Sequence, residues 1–131
     1  MDPARALFAN DAFYVAFNAR DLDAMDRLWA RRRPVACIHP GWAALVDREA
    51  VLESWEGILG NPDAPTIAVD HPRALPFGDL VLVLCYERIE GQSLAASNLF
   101  VLEDGEARLV HHQAGPCASP PDPAEGGPTL Q

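Results

Sequence analysis

Apolar residues recur at helical spacing in the first third of the chain and at strand spacing in the last half. Ala6, Ala9, Phe13, Ala16 and Phe17 form a stripe at steps of three and four, which predicts a helix over residues 2–18. Asp2 is suited to cap it and Pro3 to occupy its first turn. Asp21 opens a second, shorter helix whose Leu22, Met25, Leu28 and Trp29 share one face, with Pro34 as its expected stop. Asp47 caps a third, where Val51, Trp55, Ile58 and Leu59 fall on one side and Gly60 stands at the expected left-handed C-terminal position.

Between the second and third helices lies a short apolar strand, residues 35–39, with Ala43 to Val46 as a return partner. From residue 65 the pattern is all strand. Residues 65–75 are interrupted by Pro72, and residues 80–90 contain the run Leu80-Val81-Leu82-Val83-Leu84-Cys85-Tyr86. Residues 94–103 and 106–114 are joined at Asp104-Gly105, a hairpin turn. The unbroken run at 80–86 predicts a strand covered on both faces. Helices followed by consecutive hairpin strands predict an α+β domain, with three N-terminal helices packed on a curved, mainly antiparallel sheet. One domain is expected over residues 1–115. Residues 116–131, rich in proline and glycine, are expected to form a disordered tail.

Composition narrows the function. A net charge of −9 argues against nucleic acid as a partner, and Arg31-Arg32-Arg33 is the one basic cluster. No apolar run reaches the ~20 residues of a membrane span, and the N-terminus lacks an apolar signal segment. Three widely spaced cysteines, Cys37, Cys85 and Cys117, fit free thiols in a reducing cytoplasm. The chain contains no lysine, which excludes Schiff-base chemistry and a P-loop. Its four serines lie outside any G-x-S-x-G, and no G-x-G-x-x-G is present. No cofactor is expected. A metal site built from His39, His112 and Glu87 is disfavoured, because no H-x-H or H-E-x-x-H spacing is present.

The stretch Cys37-Ile38-His39-Pro40-Gly41-Trp42 reads as a strand that stops abruptly. Pro40 removes a backbone donor and Gly41 permits a bend, so His39 and Trp42 are displayed at a strand end. This segment resembles the nuclear-transport-factor-2-like (NTF2-like) superfamily, in its SnoaL-like and ketosteroid-isomerase-like branch. Asp21-Leu22-Asp23-Ala24, Asp47, Trp55, Ala96-Ser97-Asn98-Leu99-Phe100 and Arg108-Leu109-Val110-His111-His112 are similar to motifs of that branch, in the same order. The chain departs from it at Arg48, Ala107 and Gln113. The resemblance implies a cone-shaped fold, a pocket between the concave sheet face and the helices, and frequent dimerisation.

The resemblance also implies roles. His39 stands where the isomerases carry a carboxylate base before a proline, and Tyr14 where they carry an oxyanion donor. Each has a plainer reading, as a hydrogen-bonded strand end and a core-edge tyrosine. His111 and His112 point to opposite faces. His112 is expected inward, in phase with Arg108, Val110 and Ala114; the alternative puts His111 and Leu109 inward. Glu87 closes an apolar run, an expensive place for a carboxylate unless it is paired, for example with Arg108. Asn98 and Phe100 resemble pocket-facing residues. Trp42 is expected to wall the pocket, and Trp55 to stand in the core beside it.

The candidate catalytic set is therefore His39, Tyr14, Glu87 and His112. The candidate binding set is Trp42, Trp55, Asn98 and Phe100. Two readings stand side by side. One is an isomerase, cyclase or dehydratase that abstracts a proton next to the carbonyl of a small apolar substrate. The other is a non-enzymatic ligand-binding or dimeric interaction domain. In either, a small-molecule ligand and a homodimer through the outer sheet face are the expected partners.

Overall fold

A computed structural model of the chain describes residues 1–124. Helix α1 spans Pro3–Asn18, α2 Leu22–Leu28 and α3 Arg48–Leu59. Each begins at an aspartate whose carboxylate accepts a free backbone N–H: Asp2 from Ala4 at 2.9 Å, Asp21 from Ala24 at 3.0 Å and Asp47 from Ala50 at 2.8 Å. The strands are β1 (Ala36–Ile38), β2 (Ala68–Phe77), β3 (Leu80–Ile89), β4 (Gln92–Glu103) and β5 (Glu106–Pro116). They form one sheet in the order β1-β5-β4-β3-β2, antiparallel except where β1 runs parallel to β5. The three helices pack against this curved sheet, the α+β cone expected from the resemblance. No helix among the described residues is long and apolar enough to cross a membrane.

Several details differ from the sequence expectation. Helix α2 ends at Leu28, well before Pro34, because Trp29 turns extended and pairs with Leu109. Ala30 N–H then donates to Leu109 O at 2.9 Å, which buries Trp29 completely. Gly60 caps α3 in a right-handed conformation, φ −80°, so its freedom to adopt positive φ is not used. The return segment makes a single bridge, Leu45 to Cys37. Pro72 falls in a bulge of β2 between Asp70 and Arg73, where His71 takes φ +53°. A bulge keeps a proline from breaking the ladder.

In β3 the side chains alternate. Val81, Val83, Cys85 and Glu87 are buried beneath the helices, whereas Leu80, Leu82, Leu84 and Tyr86 point outward and Leu84 is 38% exposed. The second cover expected for this run is therefore not supplied by the described residues. The arginine triplet after α2 is exposed, and each member faces an aspartate: Arg31 with Asp26, Arg32 with Asp104, Arg33 with Asp79.

Of the C-terminal stretch, Cys117 N–H donates to Ser93 O at 3.1 Å, and residues 121–124 lie against the β2–β3 edge. There Arg88 donates to Pro121 O at 2.9 Å, and Ala124 N–H to Asp70 at 3.2 Å. Residues 125–131, the remainder of the expected tail, lie outside the described residues.

Candidate functional site

Helix α1 crosses the concave face of the sheet and presents Asn10, Phe13, Tyr14 and Phe17 to it, all buried. Asn10 and Tyr14 are one turn apart, so two polar groups reach the same strip of sheet. Opposite them, β3 supplies Cys85 and Glu87, β4 supplies Asn98, and β5 supplies His112. The pairings Val83↔Asn98 and Asn98↔His112 put Asn98 between its neighbours' inward positions.

These groups form one hydrogen-bonded chain. Tyr14 has a single hydroxyl proton, and it goes to Glu87 Oε2 at 2.6 Å. The Tyr14 oxygen then accepts from Asn98 Nδ2 at 3.2 Å, and the other Asn98 amide proton goes to Asn10 Oδ1 at 2.8 Å. Asn98 Oδ1 is left to accept from His112 Nδ1–H at 2.5 Å. This assigns the His112 tautomer: the proton is on Nδ1 and the lone pair on Nε2. Asn10 Nδ2 completes the chain by donating toward Cys85 Sγ at 3.8 Å.

His39 sits at the other end of the cluster. Its ring is edge-on to Trp42 at 4.8 Å and to Trp55 at 4.7 Å, and 6.4 Å from the His112 ring. Ser54 on α3 donates its proton to Val51 O at 2.6 Å, so its oxygen accepts from His39 Nε2–H at 2.9 Å. The His39 lone pair is then on Nδ1. Phe13 and Trp55 fill the space between the imidazoles, 5.0 and 5.8 Å from His112. The indole N–H of Trp55 is buried without a hydrogen-bond partner among the described residues.

Burial sets the protonation states. Glu87 is pushed up to about 6 by desolvation, opposed by the Tyr14 hydrogen bond. Desolvation pushes His39 down to about 4 and His112 down to about 3, His112 also by the neighbouring His39 and His111. Burial first, then Cys85 and Glu87, hold the Tyr14 hydroxyl well above its ordinary value. At neutral pH the cluster holds a tyrosine that stays a donor, two neutral imidazoles with free lone pairs, and a carboxyl close to its titration point.

The structure thus brings Tyr14, Glu87, Asn98, His112, His39 and Trp55 together, and leaves others apart. Trp42 is 48% exposed, a rim residue covering His39. Phe100 is fully buried between Val81 and Leu109. Glu87 does not meet Arg108, whose Nε lies 3.8 Å from Glu103 instead. His112 faces inward, but not in phase with Arg108 and Val110: β5 carries a bulge at Val110, so Leu109, His112 and Ala114 are the buried set. Every member of the cluster other than Trp42 and Ser54 is at most 4% exposed, so the side chains close on one another instead of lining an open cup. Among the described residues no group of three His, Cys, Asp or Glu side chains is arranged to hold a metal ion. Sequence reasoning missed Asn10, Ser54 and Cys85. For Asn10 a signal existed: an amide on an otherwise apolar helix face, one turn before Tyr14.

Comparison with known proteins agrees with this architecture. A dehydratase candidate of the NTF2-like family from Streptomyces avermitilis superposes with a TM-score of 0.79 at 27% identity, covering 88% of this chain and 95% of its own. A candidate calcium/calmodulin-dependent protein kinase type II association domain from Thiobacillus denitrificans is 35% identical, with a TM-score of 0.73, covering 83% of this chain and 92% of that one. An F-box protein of Arabidopsis thaliana, SKIP8, is 26% identical over 107 residues, 80% of this chain. The chain spans about half of that relative's length, 46%. The SnoaL-like domain model matches residues 7–119, a span that takes in all five strands. The chain belongs to the SnoaL-like domain family, within the NTF2-like superfamily.

Proposed function

We propose that this chain is a small-molecule enzyme of the isomerase or dehydratase type, moving a proton next to the carbonyl of a compact, mostly apolar substrate. One observation carries the reading: the buried Tyr14–Glu87 pair at 2.6 Å, at the head of a network that runs through Asn98 to His112. Burying six polar side chains costs about 1–3 kcal/mol for each group left unsatisfied. A plain core would carry leucines here; a site has use for the polar groups. Glu87, about 6, can take a proton as carboxylate and return it as acid near neutrality. It is better matched to the base role than His39, about 4.

In this account Glu87 removes the proton α to the carbonyl. The developing oxyanion accepts a hydrogen bond from the unpartnered Trp55 N–H. Return of the proton to a different carbon completes an isomerisation. Where the substrate carries a β-hydroxyl, donation to that oxygen expels water and completes a dehydration. In this reading the substrate enters where Trp42 covers His39, and the Phe13 and Trp55 rings that fill the space toward His112 shift with it to open the way to Glu87. The Streptomyces avermitilis relative supports the dehydratase variant.

A second reading is favoured by the closure of the cluster and by the association-domain relative: a binding or assembly module whose polar network fixes the fold. In both readings we place a homodimer on the outer sheet face, where Leu82 and Leu99 pair beside the exposed Leu84. We place the protein in a reducing, cytoplasmic compartment, where its three free cysteines persist. Thermal shift with a panel of small cyclic ketones and β-hydroxy ketones, with turnover of each stabilising compound followed by NMR, separates the readings. The enzyme reading expects at least one compound to stabilise the native chain, to be turned over by it, and to lose both effects in Trp55→Phe; stabilisation without turnover favours a binding module. No shift from any compound favours the module.

A further inference from the structure

The bulge of β2 carries a polar cluster that the proposed reaction does not use. Arg88 on β3 grips Asp70 on β2 in a two-pronged contact, Nε to Oδ2 at 3.1 Å and Nη2 to Oδ1 at 2.9 Å. Its Nη1 donates to Ser93 Oγ on β4 at 3.0 Å, and its guanidinium carbon lies 5.6 Å from the centre of the Tyr86 ring. The side chains of Arg88 and Asp70 are only 15% and 12% exposed. His71 stands beside them in the bulge, at φ +53°. The strands themselves therefore hold the arginine in place.

Residues 121–124 lie on this cluster, and every contact it makes with them is to main chain. Arg88 Nη2 donates to Pro121 O at 2.9 Å, and His71 Nε2–H to Asp122 O at 2.7 Å. Ala124 N–H donates to Asp70 Oδ2 at 3.2 Å. The arrangement suits proline. Pro120, Pro121 and Pro123 have no N–H, so the segment offers mainly carbonyls, and the cluster meets two of them with donors. Its one acceptor, Asp70, meets the N–H that follows Pro123. Ser119, Pro120 and Asp122 each precede a proline, which biases them to extended backbone and lowers the cost of ordering the segment.

We propose that Asp70, His71 and Arg88 form a binding site for extended, proline-rich polypeptide segments, with residues 119–124 as its resident occupant, exchangeable for a segment of the same pattern on another polypeptide. Recognition through the main chain rewards backbone shape over side-chain identity. Pro121, Asp122 and Pro123 are themselves exposed, which leaves selectivity with the backbone and its missing donors. The chain's own segment is tethered close by, where Cys117 N–H donates to Ser93 O, and so has an effective concentration on the order of millimolar. A competing segment enters when it reaches a comparable local concentration or binds more tightly. Asp70 pairs with Tyr86 on the outward side of the sheet, so the site is separate from the buried cluster and independent of the proposed reaction.

A peptide titration on the full chain tests the site. The probe is the blocked peptide Ser-Pro-Pro-Asp-Pro-Ala, the sequence of residues 119–124, and the control is the same peptide with its three prolines replaced by glycine. Binding is read from the backbone amide resonances of Ala124, His71 and Ser93 in the 15N-labelled protein. Millimolar probe is expected to shift all three, and the glycine control to leave them in place. Loosening the resident segment with Pro121→Gly and Pro123→Gly is expected to tighten binding of the probe at least tenfold. Arg88→Ala is expected to abolish binding. His71→Gly, which removes the donor to Asp122 O and relieves the positive φ, is expected to weaken it and serves if circular dichroism shows Arg88→Ala to be unfolded. No shift in either the native or the loosened chain, equal affinity in the two, equal binding of the glycine control, or binding that survives the loss of Arg88 or of His71 would overturn the proposal.

Discussion

Tyr14 on α1 and Glu87 on β3 meet at 2.6 Å, the tyrosine hydroxyl donating to the carboxylate. This contact ties the first helix to the middle of the sheet. It also fixes the direction of every hydrogen bond that follows, through Asn98 to Asn10 and His112. Removing the hydroxyl with Tyr14→Phe leaves Glu87 and Asn98 each short of a buried partner. We expect a loss of about 2–4 kcal/mol of stability, read by urea denaturation. A loss under 1 kcal/mol would mean that the network is slack.

Acid should unfold the protein through its histidines. His39 and His112 are depressed in the folded state, to about 4 and about 3, against an unfolded value near 6.5. Their contribution is present above pH ~6.5 and is lost as pH falls toward 4 and then 3. Glu87 acts with the opposite sign: its raised value, about 6, favours the fold below pH ~4.5 and costs it as pH rises through 6. Two imidazoles with larger shifts outweigh one carboxyl, so net stability should fall on acidification from pH 6.5 to 4. His112→Gln should flatten that limb in thermal melts. An unchanged acid limb in both His112→Gln and His39→Gln would remove the histidines as its cause.

The C-terminal stretch is held where Asp70 and Arg88 pair at 2.9 Å, both largely buried. Arg88 also reaches Pro121 O, and Asp70 accepts from Ala124 N–H. Deleting residues 118–131 removes those contacts but no strand, so the fold should persist with Tm lowered by only a few degrees, the equivalent of about 1 kcal/mol. Loss of a cooperative transition would contradict this.

The outer face of β3 should carry the sheet-to-sheet contact. Leu84→Arg with Leu82→Arg places two like charges on that face and should lower the mass seen by light scattering at tens of micromolar, with unchanged circular dichroism. An unchanged mass would remove the outer sheet face as a contact between copies.

Much of this architecture was legible in the chain. Three aspartate caps and the apolar stripes located the helices. The sequence Asp104-Gly105, at φ +55° and +76°, marked its hairpin. The inward phase of Val81, Val83, Cys85 and Glu87 followed from period two. Two features were hidden. The bulge at Val110 inserts one residue without a glycine or proline to announce it, and so shifts which of Arg108 and Leu109 faces in. The closure of the cluster depends on how Phe13 and Trp55 meet across the sheet, a packing result that no local spacing encodes. Asn10 and Ser54 bond to Asn98 and His39, 88 and 15 residues away along the chain, partners that local spacing does not reveal.

The central claim is that Glu87 moves a proton next to a carbonyl. Deuterium exchange tests it without knowledge of the natural product. Small cyclic ketones are incubated with protein in D2O near pH 7, and loss of the α-proton signal is followed by NMR. The account predicts that the native chain accelerates exchange of at least one ketone, and that Glu87→Gln slows it by a factor on the order of 100 or more. Exchange equally fast in Glu87→Gln, or no acceleration by the native chain of any ketone shown to bind it, would contradict the account.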